Sequence, residues 1–144
     1  MKKQLFIAAI VLGLLSAPTM AETMTHHFQT QNHDIQIQCD GDAPAIFSDS
    51  CTYRAWNKPK QIGDGKPDLE ITKGTSNLEN YFPVKGVRCL IRRFFFHTGN
   101  TDIHLTRDYS NSPDCYEKRP GTVGDLSVHI HGNLRSLFRL YEVK

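Results

Sequence analysis

Past its first 21 residues the 144-residue chain has no hydrophobic stretch long enough to cross a bilayer. No membrane-spanning helix is expected in the folded part. A charge surplus is lacking as well: of the 17 basic residues, Lys2 and Lys3 fall in that N-terminal stretch, and the 15 that remain equal the 15 acidic ones. A general binder of nucleic acid or anionic lipid needs a basic excess to release counterions, so the composition argues against both partners. The balance is uneven along the chain, with 5 basic and 9 acidic residues from Glu22 to Asn80 and 10 and 6 from Tyr81 to Lys144. Two oppositely charged halves folded against each other would account for it. Motifs of familiar chemistry are also missing. There is no Gly-x-Ser-x-Gly, no His-Glu-x-x-His, no glycine loop to cradle a phosphate and no Cys-x-x-Cys.

Met1 to Ala21 has the three parts of a secretory signal: Lys2 and Lys3, the apolar run Leu5 to Leu15, then Pro18 and the small residues Thr19 and Ala21. Cleavage is expected to leave Glu22 first, and no cysteine follows that could carry a lipid anchor. The protein is therefore expected to be exported, to the periplasm or beyond. Cys39, Cys51, Cys89 and Cys115 form an even set, which in a small exported domain points to two disulfides. Pairing Cys39 with Cys51 and Cys89 with Cys115 closes a local loop between successive strands in each case. Each closure is worth roughly 3 kcal/mol on the chain-entropy model.

The longest apolar-rich stretch of the mature part is Val84 to His97, rich in β-branched and aromatic residues, which reads as a central strand. Adjacent Arg92 and Arg93 break its period of two. A bulge there would send both to water and put Ile91, Phe94 and Phe96 on the core face. Other alternating segments predict strands over 34–39, 50–56, 68–72, 101–107, 125–131 and 134–143. Residues 22–33 read as a flexible tail ahead of one disulfide-stabilised domain, 34–144. The Pro- and Gly-rich stretch Asn57 to Pro67 reads as the most flexible loop. Ser76-x-x-Glu79 has capping-box spacing and predicts one or two helical turns. The expected class is all-β, a small antiparallel sandwich or barrel of six to seven strands, with α+β as the fallback.

Two groups of residues suggest chemistry, the first of them in two ways. His129-Ile-His131 would place two imidazoles on one strand face, with His104 as a third ligand, a set suited to zinc or copper. His97, His104, His129 and His131 could instead supply an acid/base pair in a small secreted hydrolase acting on phosphodiesters. Tyr53, Arg54 and Trp56, beside the Pro/Gly-rich loop, could contact a protein or glycan of the envelope or of the surroundings, since Trp, Tyr and Arg anchor interfaces. With no motif for catalysis, the leading expectation is a binding module without enzymatic activity or a required cofactor: an inhibitor, an envelope accessory factor or an adhesin-like domain. A zinc- or copper-binding protein is second and the hydrolase third.

Overall fold

The computed structural model describes residues 23–41, 47–110, 112, 114–115 and 121–143; the expected secretory signal lies outside them. Eight strands run in chain order: β1 Thr23–Gln29, β2 His33–Asp40, β3 Phe47–Asn57, β4 Leu69–Tyr81, β5 Cys89–Thr98, β6 Thr101–Asp108, β7 Thr122–Ile130 and β8 Asn133–Glu142. Each pairs antiparallel with the next. Phe28 and Gln29 of β1 pair with Glu142 and Tyr141 of β8, which closes the sheet into an up-and-down barrel. The all-β expectation holds, with eight strands in place of six or seven. At this strand number the interior is just wide enough for side chains to fill it or for one small ligand.

Inside lie Phe28, Ile35, Ile37, Tyr53, Phe94, Phe96, Leu105 and Leu140, all nearly inaccessible to water. Outside, Gln36, Gln38 and Arg54 stand beside one another across β2 and β3, and Arg54 donates to Glu70 on β4. At these positions the wall is apolar within and polar without, whereas a membrane-spanning barrel carries a continuous apolar band outside. No helix among the described residues is long and apolar enough to cross a membrane.

Four sequence expectations are corrected. Residues 23–29 are not a tail but a strand, in which Met24, His26 and Phe28 lie opposite the inward Cys39, Ile37 and Ile35. Histidine at the middle position hides the alternation. Ser76 to Glu79 is not helical: it continues β4, and the Ser76 side chain is buried inside the barrel. Tertiary pairing with β5 overrides the local capping signal. Asn57 to Pro67 forms a loop tied by its own bonds, with Asp68 accepting from the Asn57 amide and from Lys60 Nζ at 2.7 and 2.8 Å. Trp56 Nε1 donates to Gly65 O beneath it.

The fourth correction concerns the bulge. β5 keeps an unbroken register with β4 from Cys89 to Phe95 and with β6 from Ile91 to Thr98. The even positions Arg92, Phe94 and Phe96 therefore all face inward, and Arg92 is buried, donating from Nη1 to Ser76 Oγ at 2.8 Å. Two phenylalanines outweigh one arginine whose head has a hydroxyl to bind. The outward Cys89 and Ile91 are buried too, from the other side. Tyr109 donates to Leu90 O, Ser110 accepts from the Leu90 amide, and the Cys89–Cys115 disulfide fastens that returning segment over the start of β5.

An irregularity does occur, one strand away. Tyr53 pairs with Ile71 but Cys51 with Gly74, so β4 carries an extra residue, and Lys73 takes up a left-handed φ of 61°. This shift puts Gly74 directly under Phe96. A Cβ at 74 would lie 2.2 Å from the Phe96 ring, so only glycine fits. Both expected disulfides are present, Cys39–Cys51 bridging directly opposed residues of β2 and β3. Two disulfides fit an oxidising compartment.

Candidate functional site

The outer surface of β5–β8 is built in rows by the strand register. One row runs Phe95, His104, Ser127, Leu137; the next runs His97, Asp102, His129, Leu134. Cross-strand neighbours on one face stand close enough to touch, and these do. The rings of Phe95 and His104 meet edge to face at 4.9 Å, and those of His104 and His129 lie 4.8 Å apart. His97 Nδ1 and Asp102 Oδ1 are 2.5 Å apart, and His129 Nε2 is 3.1 Å from Ser127 Oγ.

Phe95, Leu134 and Leu137 are 40, 57 and 58% exposed, so three large apolar side chains flank the histidines on one open face. The adjoining row is charged: Arg93 pairs with Glu79 and Arg139 with Asp125, each at 2.8 Å. At the opposite border the β5–β6 and β7–β8 turns are joined by the His131 amide donating to Asn100 O. The face thus has an apolar and imidazole centre beside an ion-paired margin. Burial, with the nearby His129, holds the His104 pKa below the ordinary histidine value, while Asp102 opposes the shift.

Of the three histidines expected to bind metal, the register brings His104 and His129 together and leaves His131 out. His131 is in the two-residue β7–β8 turn with Gly132, both at positive φ (52° and 79°), as a type I′ hairpin requires. It does not share the strand face of His129. Among the described residues no group of three or more His, Cys, Asp or Glu side chains is arranged to hold a metal ion. For acid/base chemistry, Ser127 and His129 stand at nucleophile–base distance. The carboxylate across the ladder from His129, Asp102, binds His97.

The expected aromatic contact is dismantled by the fold. Tyr53 faces into the barrel against Phe96, and Trp56, on the outer side of β3, is covered by the loop after it; both are 4% exposed. Arg54 remains at the surface, held by Glu70 and Gln38. The exposed face on β5–β8 escaped sequence reasoning because its residues are scattered over four strands and only the register aligns them. The one available signal was Phe95, the odd member of three consecutive phenylalanines.

Comparison with known proteins adds no relative: no family model matches the chain, and no curated protein or solved structure matches it.

Proposed function

We propose that this protein is an exported binding module that recognises a macromolecular partner, in the envelope or outside the cell, through the outer face of β5–β8. The observation that carries this is the alignment of exposed Phe95, Leu134 and Leu137 around His104 and His129 on a rigid, closed sheet. Exposed apolar side chains grouped within a polar surround mark interaction surfaces, and rigid aromatic anchors lose little entropy on binding. The histidines suit the centre of such a patch, because each presents a flat ring and a polar edge. The patch is formed by side chains standing on paired strands, so recognition works through those side chains.

Photocrosslinking tests the assignment. With Phe95→p-benzoylphenylalanine or Leu137→p-benzoylphenylalanine expressed in the exporting host, both positions should capture the same species, and the same probe at Thr72, exposed on β4, should not. Adding Leu134→Asp to the Phe95 probe should lower the yield about tenfold or more, the effect of losing ~1.4 kcal/mol of binding. Melting should be unchanged, because Leu134 is mostly in water. Equal capture at all three positions, or none at 95 and 137, would remove the outer face from the function.

A further inference from the structure

The barrel is filled along part of its length only. At the end carrying the β1–β2, β5–β6 and β7–β8 turns it opens into a cavity of about 290 Å³, walled by Ile103, Leu126 and Phe138, with Tyr53 in its lining and His33 and Asp68 among its polar groups. Tyr53 leans on Phe96, their centroids 5.4 Å apart, and so joins the cavity to the packed core beyond. The residue is only 4% exposed, yet its hydroxyl is not among the buried unpartnered atoms of the described residues, so the oxygen still reaches the open space of the cavity. A phenol so placed can donate to a molecule that occupies this space.

His33 supplies the second polar group, and its tautomer follows from its neighbours. Thr30 Oγ1 accepts from the Asn32 and His33 amides at 3.2 and 3.0 Å, so its own proton is directed at His33 Nδ1, 3.3 Å away. That leaves the His33 proton on Nε2 as a donor. The ring meets Phe138 edge-on at 5.8 Å, and burial, then the Lys58 charge, keeps it neutral by holding its pKa below the ordinary value, while Asp68 opposes. Asp68 offers no free charge, since both oxygens are bound by Lys60 and by the Asn57 amide. The lining is thus apolar, uncharged where it is deep, and supplied with two hydrogen-bond donors.

We propose that this open end of the barrel binds one small neutral molecule, a single substituted ring or a fused pair, carrying a hydrogen-bond acceptor that Tyr53 and His33 address. Size supports the limit: a dry apolar cavity of about 150 Å³ takes benzene, and drug-sized ligands need about 300 Å³ or more. Charge supports the rest. The Asp68 carboxylate is already held by Lys60 and the Asn57 amide, and Lys58 by Thr30 O, so neither an anion nor a cation meets a free counter-charge there. The site lies inside the barrel, and its occupancy is independent of the outer face of β5–β8.

Acetophenone is a suitable probe, with benzoate and benzylamine as charged counterparts and toluene as the ring without an acceptor. Titrated into the disulfide-intact protein and followed by methyl and amide NMR, acetophenone should shift Ile103, Leu126 and Val128 saturably, and the two charged compounds should bind about tenfold or more weakly. Tyr53→Phe should weaken acetophenone by about threefold to tenfold, the worth of one hydrogen bond, and leave toluene unchanged. Val128→Phe, which fills the cavity, should abolish binding of both. Non-saturable shifts, benzoate binding as tightly as acetophenone, or a Tyr53→Phe protein that binds acetophenone as the wild type does would overturn the proposal. Tyr53→Phe removes only a hydroxyl, so it remains a usable test even where Val128→Phe fails to fold.

Discussion

Phe94→Ala and Phe96→Ala should each destabilise the barrel by about 3 to 5 kcal/mol, and Phe95→Ala by less than about 1 kcal/mol. Phe94 and Phe96 are 0 and 2% exposed, while Phe95, between them, is 40% exposed. Phe94 is also held by ring contacts, to His26 at 5.0 Å and to Phe28 at 6.3 Å, so its removal empties the middle of the interior. Phe96 covers Gly74 across the ladder, and alanine there would bare backbone that nothing else can reach. Denaturant unfolding with the disulfides intact measures all three. A Phe95 loss as large as its neighbours' would mean that the odd face of β5 also supports the core at that point.

That ranking also follows from a bulge at Arg92-Arg93, yet the cause is different. The bulge was inferred from the assumption that a strand cannot turn an arginine inward, which is sound for a sandwich face covered along its whole length. A barrel has ends, and there an inward arginine can lay its stem on apolar rings while its head finds Ser76. The inner face of β5 was therefore legible from the phenylalanines, and its regularity was not. Both disulfides were legible because the chain closes local loops. β1 was not, since one of its three inward residues is His26 and another, Met24, is at the barrel's end. For the site, His104 and His129 were visible as residues but not as neighbours: the sequence separates them by 25 positions and the β6–β7 register rejoins them. Phe95, Leu134 and Leu137 were visible as apolar residues, and only the β5–β8 register makes one patch of them.

The inward arginines have a consequence for acid stability. Arg92 and Arg107 are register partners on β5 and β6 and both face the interior, where the Arg107 guanidinium lies 5.8 Å from the centroid of the Phe28 ring. His26 enters the same region from β1, and its Nε2 is buried without a hydrogen-bond partner among the described residues. Burial chiefly, then the charges of Arg92 and Arg107, push its pKa down to about 4 from an ordinary 6.5. Between those two values the unfolded chain binds a proton at His26 and the folded chain does not, so stability falls as the pH is lowered through this window. The loss is complete below about pH 4 and amounts to roughly 2 to 3 kcal/mol for a ring that keeps some contact with water. His33 and His104, both with lowered pKa values, act in the same direction. Asp68, whose carboxyl is held below its usual range by Lys60 and the Asn57 amide, contributes only at still lower pH. His26→Gln keeps a polar side chain and removes the titration. Its unfolding free energy should therefore drop by about 2 kcal/mol less than the wild type's between about pH 7 and pH 4, and the His26 ring signals in NMR should titrate near 4. Parallel pH profiles for the two proteins, or a His26 midpoint near 6.5, would show that the ring is solvated and that the two arginines leave it free to charge.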